Sequence, residues 1–160
     1  MSEIFFQQLE TIATGAGTKL VQLRKQEFMI DVDQKNLKKL ISQLVNERNV
    51  RHLSTITGLD LGQNIGIIYH FSFDRENIHV KTLVPKSNPA AISIVEIIPG
   101  AILYEMEVHD MLGVTFSGNP WMDRKLLLPD SWPLDLPPPL LKTSKPSEIR
   151  KRLQLEAESK

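Results

Sequence analysis

The chain has 160 residues, contains no cysteine and carries 19 basic and 19 acidic residues, so its formal net charge is zero. That length suits one domain with a core of its own, and the balanced charge argues against a general attraction to nucleic acid. The missing cysteines exclude disulfides, thiolate metal sites, cysteine-ligated iron–sulfur clusters and a thiol nucleophile. The first residues lack a secretory signal pattern and no stretch is apolar enough to span a membrane, so the sequence predicts a cytoplasmic protein.

The first fifty residues predict a helix, a hairpin and a second helix. Apolar residues recur at helical spacing over 3–13, and the alternation over 19–31 predicts a hairpin or an edge strand. Residues 33–49 give the clearest helical pattern, with Asp33 as the N-cap. The apolar stripe of this helix comprises Leu37, Leu40, Ile41, Leu44 and Val45.

Three strands follow, because the apolar period changes from 3.6 to 2 over residues 51–61, 64–73 and 78–84. We expect Leu53 and Leu59 to add to the apolar layer of the sheet. With a helix to cover that layer, the pattern predicts an α+β fold: a small mixed sheet covered by helices.

The last two strands predict a hairpin around the sequence DREN. Pairing Phe71 with Val80 brings apolar residues together on one face and leaves His70 opposite Lys81 on the polar face. We therefore expect one face of the sheet to be core and the other to be polar.

Beyond Pro85 the chain predicts one or two helices, the second beginning near Pro99 and ending at Gly113. Six of the ten prolines lie between 129 and 146, so this part cannot form a helix or a central strand and must run extended over a surface. The last fourteen residues predict either a charged helix or a segment without order of its own. The division is therefore an α+β domain over 1–128 and an extended proline-rich arm with a charged tail over 129–160.

One interpretation of the acidic cluster at 105–110 is a free-standing metal-dependent enzyme. On a helix Glu105 and His109 share a face at i and i+4, and a sheet histidine (His52, His70 or His79) would supply a third ligand. The metalloprotease signature, a nucleophile elbow, a phosphate-binding glycine loop and a dinucleotide fingerprint are all absent. The alternative therefore depends on this one pair.

A second alternative is an adaptor that binds anionic lipid or nucleic acid through its basic tail. The acids Glu148, Glu156 and Glu158 dilute the field of that tail. The basic residues concerned are Lys142, Lys145, Arg150, Lys151 and Arg152.

The stretch YEMEVHDMLGVTFSGNPWMDRKLLLPDSWP, residues 104–133, resembles the signature of the 30-kilodalton subunit family of respiratory complex I. That family includes the C subunit of NADH dehydrogenase and related subunits of membrane-bound hydrogenases, and its motif reads E-R-E-x-x-D-M-[FL]-G-[IV]-x-F-x-G-H-P. Met106 stands where the motif has arginine, and Asn119 where it has histidine. The matching positions are Glu105, Glu107, Asp110, Met111, Leu112, Gly113, Val114, Phe116, Gly118 and Pro120, continued by Arg124, Leu127, Leu128, Pro129, Asp130 and Trp132.

The resemblance implies a cofactor-free accessory subunit of a complex I-related, ion-translocating membrane oxidoreductase, peripheral to the membrane on its cytoplasmic side. Its partners would be an iron–sulfur small subunit and a large subunit related to nickel–iron hydrogenases, and those partners would hold the iron–sulfur clusters and possibly nickel–iron. No residue of this chain is expected to be catalytic or to bind a cofactor or metal. The short chain favours the hydrogenase-type or archaeal branch. The residues expected to carry the family signature and its interfaces are Glu105, Glu107, Asp110, Gly113, Phe116, Gly118, Pro120, Arg124 and Trp132.

In this interpretation the acids end one helix and meet basic groups or backbone amides, within the chain or across an interface. The proline-rich arm is expected to lie across a partner subunit and to become ordered there. Its apolar residues are Trp132, Leu134, Leu136, Leu140 and Leu141.

Overall fold

The computed structural model describes residues 3–133 and 135–158. Residues 1, 2, 134, 159 and 160 lie outside it, among them Leu134 of the predicted arm and the last two residues of its charged tail. The α+β prediction is confirmed. In chain order the elements are α1 (Glu3–Gly15), β1 (Leu20–Arg24), β2 (Glu27–Asp31), α2 (Gln34–Arg48), β3 (His52–Asp60), β4 (Asn64–Phe73), β5 (Glu76–Pro85), β6 (Ala90–Ile92), α3 (Ala101–Leu112), β7 (Thr115–Ser117) and α4 (Pro146–Glu158).

The main sheet has five strands in the order β1-β2-β5-β4-β3. The hairpin predicted over 19–31 is present, and its first strand forms one edge of the sheet. Strands β2 and β5 run parallel while the other neighbours are antiparallel, which makes the sheet mixed. Strand β5, the last strand of the β3–β4–β5 meander, lies beside β2 and so joins the meander to the β1–β2 hairpin in one sheet. A layer of helices covers one face of this sheet.

Helix α2 confirms its predicted apolar stripe, since Leu37, Leu40, Ile41, Leu44 and Val45 are all buried. Asp33 holds the N-cap position, yet its side chain makes no capping hydrogen bond. The helix ends at Asn49 in the left-handed conformation, where the residue's N–H donates to the Val45 carbonyl at 3.1 Å. The helix therefore draws its stability from burial and from its C-terminal end.

Helices α1, α2 and α3 cover the same face of the sheet and share one hydrophobic cluster with it. Leu9 of α1, Leu40 of α2 and Val108 of α3 join this cluster with the fully buried sheet residues Tyr69 and Phe71. The opposite face carries His70 and His79, as the alternation predicted.

The predicted register of the β4–β5 hairpin is wrong by two residues. Phe71 pairs with Ile78, so that His70 faces His79 rather than Lys81. The reason is the turn, in which Asp74 adopts a φ of 53° and closes the hairpin with two residues instead of four. A shift of two residues leaves every side chain on its predicted face, because the side-chain period of a strand is two.

The prediction that Leu59 belongs to the core is also wrong. Strand β3 carries a register shift between Leu53 and Thr55, which changes which residues face inward. Leu53 is buried as predicted, Ile56 is buried beyond the shift, and Leu59 is 41% exposed on the outer face.

Of the one or two helices predicted past Pro85, the described residues contain one before the arm. The first expected helix is replaced by β6, which pairs in parallel with β7 as a separate two-stranded ribbon. Helix α3 occupies the predicted second position and ends at Gly113, whose φ of 75° and N–H···O bond to His109 at 2.8 Å form the expected left-handed end.

The described part of the proline-rich arm contains turns but no helix or strand before α4, which takes the helical alternative for the charged tail. Part of the arm packs on its own domain: the Leu140 N–H donates to the Met111 carbonyl at 2.9 Å, and the Lys142 N–H donates to Asp60 at 2.8 Å. These residues therefore depart from the expectation that the arm lies on a partner, and for the remainder that expectation stays a prediction. The boundary at residue 128 also stays a prediction.

Within the described residues, no helix has the length and apolar character needed to cross a membrane.

Candidate functional site

Asp110, in the last turn of α3, organises the loop that follows β7. One carboxylate oxygen, Oδ2, accepts the backbone N–H groups of Leu126, Leu127 and Leu128 at 2.8, 2.7 and 3.0 Å. The other oxygen lies 3.9 Å from the Lys125 ammonium. The loop thus wraps its amides around a buried negative charge, and the acid meets backbone amides within the chain, one of the two arrangements that the family resemblance led us to expect.

Two opposing effects act on the ionisation of Asp110. Burial alone would raise its pKa, but the amides of Leu128, Leu127 and Leu126, with the Lys125 charge, lower the pKa below its usual range. The carboxylate is therefore held ionised, which is the form that accepts three hydrogen bonds.

Glu105 lies one and a half turns earlier and joins three separate segments. Its Oε1 accepts the Ile94 N–H at 2.8 Å, and its Oε2 accepts the Ser93 hydroxyl at 2.8 Å and the Asn119 amide at 2.9 Å. The residue is completely buried. The side chain therefore ties α3 to the segment after β6 and to the turn after β7.

Burial raises the pKa of Glu105, and the donors from Ile94, Ser93 and Asn119 counter only part of that effect. Tyr69 lies near enough to feel this charge. Burial first, and then the charge of Glu105, raises the pKa of Tyr69 well above its usual range, so the phenol stays protonated. Among the described residues, the Tyr69 hydroxyl has no hydrogen-bond partner.

The two departures from the family motif occupy buried positions. Asn119, at the motif's histidine, also donates to the Ile102 carbonyl at 3.1 Å and accepts the Trp121 N–H at 3.0 Å. Met106, at the motif's arginine, is 3% exposed. Asn119 therefore still makes hydrogen bonds at its position, whereas Met106 packs in the buried interior.

The remaining signature residues fix the local backbone, fill the core or lie exposed at the surface. Gly113 and Gly118 adopt φ values of 75° and 102°, which favour glycine, and a Cβ on Gly113 would stand 3.0 Å from Pro138. Phe116 is buried in β7. Glu107 and Pro120 are exposed, and Glu107 lines a cavity of about 220 Å³ between β3 and α3.

Arg124 and Trp132 lie on different parts of the surface. The Arg124 guanidinium stands 5.6 Å from the ring centroid of Trp121, a cation–π arrangement. Trp132 is half-buried and lines a cleft of about 130 Å³ that also contains Asp110 and Lys125. The signature residues are therefore grouped around α3 and its following loop, but they do not converge on one pocket.

The pair proposed for a metal-dependent enzyme is occupied with other contacts. Glu105 accepts its three donors, and the His109 Nδ1 donates to the Val114 carbonyl at 2.8 Å. His70 and His79 lie on the outer face of the sheet, away from α3, with their Nδ1 atoms 2.9 Å apart. Over residues 3–133 and 135–158, no three histidine, aspartate or glutamate side chains are grouped so as to hold a metal ion.

The basic tail proposed for an adaptor is partly paired with acids. Lys145 contacts Glu148 at 2.9 Å and Arg152 contacts Asp135 at 3.4 Å. These pairs reduce the positive field that the sequence suggested.

Sequence reasoning missed two groups of participants in this region. Ser93 and Ile94 follow β6, and nothing in their spacing indicates that they face Glu105. Asp60 accepts the Lys86 ammonium at 2.5 Å as well as the Gly62 and Lys142 amides, which joins residues 82 positions apart. The only sequence signal for Asp60 was an acid at the end of a strand, a pattern shared by many turns.

Comparison with known proteins gives one family. The model of the respiratory-chain NADH dehydrogenase 30-kilodalton subunit matches residues 30–149. The C subunit of NADH-quinone oxidoreductase from Roseiflexus castenholzii is 37% identical over 91 residues, covering 54% of this chain and 52% of that protein. The corresponding protein of Acidothermus cellulolyticus is 30% identical over 115 residues, covering 67% and 59%. A protein of Methylococcus capsulatus named as a C/D subunit is 40% identical over 68 residues, covering 41% of this chain and 11% of its own length.

Two solved structures share the fold. A trypsin-resistant fragment (1-134) of Nqo5 superposes with a TM-score of 0.63 at 18% identity, covering 72% of this chain and 97% of the fragment. A chain of the membrane-bound sulfane sulfur reductase, an archaeal respiratory membrane complex, superposes with a TM-score of 0.75 at 23% identity, covering 95% and 92%. The chain spans between half and three fifths of the length of the first two curated relatives described above.

Proposed function

Because the chain belongs to the family of the respiratory-chain NADH dehydrogenase 30-kilodalton subunit, we propose that it is a cofactor-free structural subunit of a membrane-bound oxidoreductase complex. In this role it supports the subunits that carry electrons and does not itself take part in the chemical step. Ion translocation and the choice of electron donor and acceptor belong to the other subunits.

The observation that carries this proposal is the use of the signature acids. Asp110 and Glu105, the two buried carboxylates of the motif, each accept three hydrogen bonds from their own chain. A general acid or base needs a proton-exchanging contact with a substrate, and a metal ligand needs a free lone pair. Three donors of the same chain occupy each carboxylate, and the second Asp110 oxygen is buried near the Lys125 ammonium, so both acids are better suited to fixing the conformation of a loop.

We further propose that the partners are an iron–sulfur small subunit and a hydrogenase-like large subunit, on the cytoplasmic side of the membrane. The name of the relative from Methylococcus capsulatus, a C/D subunit, supports a close association with a D-type subunit. In our proposal the iron–sulfur clusters, and nickel–iron where the large subunit retains it, reside in those partners.

Affinity purification from native membranes tests the proposal. A tagged copy of the chain, extracted in mild detergent beside an untagged strain as control, should bring down an iron–sulfur subunit and a large subunit identified by mass spectrometry. Two Cys-x-x-Cys pairs in the large subunit would indicate hydrogen chemistry, and their absence a quinone-type reaction. Recovery of the tagged chain without either subunit would contradict the proposal, as would a stoichiometric, tightly held metal in the isolated chain.

A further inference from the structure

The loop between Pro120 and Leu128 carries an unusual amount of exposed apolar surface. Trp121, Leu126 and Leu127 lie within about seven residues of one another and are 39%, 38% and 56% exposed. Single exposed apolar residues need no explanation, but a group of this size on one short loop is typical of an interaction site.

This exposure is not the result of a loose segment, because buried side chains hold the loop at both ends. At its start Asn119 accepts the Trp121 N–H, and at its end Asp110 accepts three successive amides. Between them, the Phe116 N–H contacts the half-buried Met122 sulfur at 3.4 Å. Since the amides of Leu126 and Leu127 face inward, the exposed side chains of these residues are presented in a fixed arrangement, which lowers the entropy lost on binding.

Arg124 adds a charged group of defined orientation to this surface. Its guanidinium lies over the Trp121 ring, and no ion pair among the described residues involves it. A stacked guanidinium keeps its edge donors free for a carboxylate, which it binds through two parallel hydrogen bonds. Tryptophan and arginine are also the residue types that most often dominate the energy of protein interfaces.

We propose that residues 120–128 form a preorganised docking surface for a partner protein subunit, with an apolar patch to receive Trp121 and Leu127 and a carboxylate to pair with Arg124. The inference rests on the proposed function and adds the place and chemistry of one contact. An anionic membrane fits less well, because Asp123 lies beside Arg124 and Lys125 in the sequence and offsets their charge. A protein surface satisfies both the apolar group and the oriented cation.

Purification of the tagged full-length chain from native membranes, with matched variants, tests this surface. Leu127→Asp and Arg124→Glu should each reduce the recovery of partner subunits about tenfold or more. Arg124→Lys should give a smaller loss, because lysine keeps the charge but not the planar fork. Leu23→Asp is the matched control, since Leu23 is 49% exposed on the edge strand β1, and it should retain wild-type recovery.

Thermal unfolding of each isolated variant separates binding from folding, and we expect all four variants to melt close to the wild type. A benzophenone side chain placed at position 127 should crosslink, in the assembled complex, to a peptide of another subunit. Wild-type recovery of the partners together with full recovery by Leu127→Asp and Arg124→Glu would overturn the docking surface and leave the proposed function intact. Crosslinking to lipid alone would also overturn it, and failure of the wild type to bring down any partner would overturn both proposals.

Discussion

Asp110 and Glu105 show how the environment of a single residue decides the ionisation of a buried acid. Each carboxylate accepts three hydrogen bonds, yet the pKa of Asp110 is lowered and the pKa of Glu105 is raised. Burial opposes ionisation in both cases. At Asp110 three backbone amides and a nearby ammonium outweigh it, whereas at Glu105 one backbone amide and two side-chain donors do not. The same motif therefore contains one acid whose surroundings favour the charged form and one whose burial disfavours it.

Replacing Asp110 should destabilise the protein in proportion to the number of amides left without an acceptor. Asp110→Ala leaves three N–H groups unpaired and should lower the free energy of unfolding by about 3 kcal/mol. Asp110→Asn keeps an acceptor oxygen but loses the charge, so we expect a loss of about 1 kcal/mol. Urea unfolding at pH 7 measures both, with Asp130→Asn, at an exposed position, as the control. Equal losses for the alanine and asparagine variants would show that the three amides are not what Asp110 stabilises.

From the raised pKa of Glu105 we predict that the free energy of unfolding falls as the pH rises. Its folded pKa lies above the reference value of 4.5, so the contribution of the protonated form is complete below pH 4.5 and is lost as the pH rises through the folded pKa. Glu105→Gln removes this dependence. The amide introduced at position 105 would also face the donating Asn119 amide, at a cost of about 1–2 kcal/mol that is largest at low pH, where the wild type has its protonated form.

Urea midpoints of the wild type and Glu105→Gln between pH 4 and 8 measure this difference. The gap between the two proteins should narrow as the pH rises. Glu107→Gln, at an exposed position on the same helix, should follow the wild type throughout. A gap that stays constant over the whole range would contradict the raised pKa.

At the scale of secondary structure, the sequence predicts elements and faces better than it predicts partners. The stripe of α2 was predicted residue by residue, because one helix buries one face whatever covers it. The partner of Phe71 was not, since a two-residue and a four-residue turn preserve the same alternation and differ only in the backbone conformation of Asp74. The exposure of Leu59 depends on the register shift in β3, which the pattern of side chains does not predict.

The contacts of the candidate site were likewise predictable only in part. The resemblance led us to expect that the acids meet basic groups or backbone amides, and Asp110 and Glu105 do so. Which amides they meet could not be inferred, because Ile94 and Leu127 reach them through loops whose paths depend on tertiary packing. The sequence thus indicated the kind of contact and left its partners open.

The β4–β5 hairpin carries a histidine pair that should make stability fall in mild acid. Burial first, and then the charge of His79, lowers the pKa of His70; burial lowers the pKa of His79, while Glu27 acts in the opposite sense. Since both folded pKa values lie below the reference of 6.5, the folded state loses stability as the pH falls from about 6.5 through these values. Protonation also removes the acceptor of the Nδ1···Nδ1 contact.

Thermal unfolding between pH 7.5 and 5 compares the wild type with His79→Gln. The variant should lose less stability over this range, because only His70 remains to be protonated and no second positive charge can form beside it. His52→Gln, at an exposed position of β3, serves as the control and should keep the wild-type dependence. Parallel curves for the wild type and His79→Gln would show that the pair does not act as a unit.

At the scale of the whole molecule, Asp60 connects the end of the sheet to the C-terminal arm. Its carboxylate accepts the Lys86 ammonium and the Lys142 and Gly62 amides, which together hold its pKa far below the usual range. The contact joins the strand that forms one edge of the sheet to a segment that follows three consecutive prolines. An extended arm without regular hydrogen bonds gains a fixed position from a few such contacts.

Removing this contact should loosen the arm around Lys142 without unfolding the domain, because Asp60 is not part of the core cluster, against which Leu141 of the arm still packs. In the isolated wild-type protein, trypsin should cleave after Lys151 before it cleaves after Lys142, whose amide is bound to Asp60. In Asp60→Ala the cleavage after Lys142 should become several-fold faster, because proteolysis follows the population of the open arm. Cleavage after Lys25, in the β1–β2 turn, provides an internal control that should not change. Equal cleavage rates after Lys142 in both proteins would mean that Asp60 does not hold the arm. Protection of Lys142 only in the assembled complex would show that a partner subunit, and not Asp60, holds the arm in place.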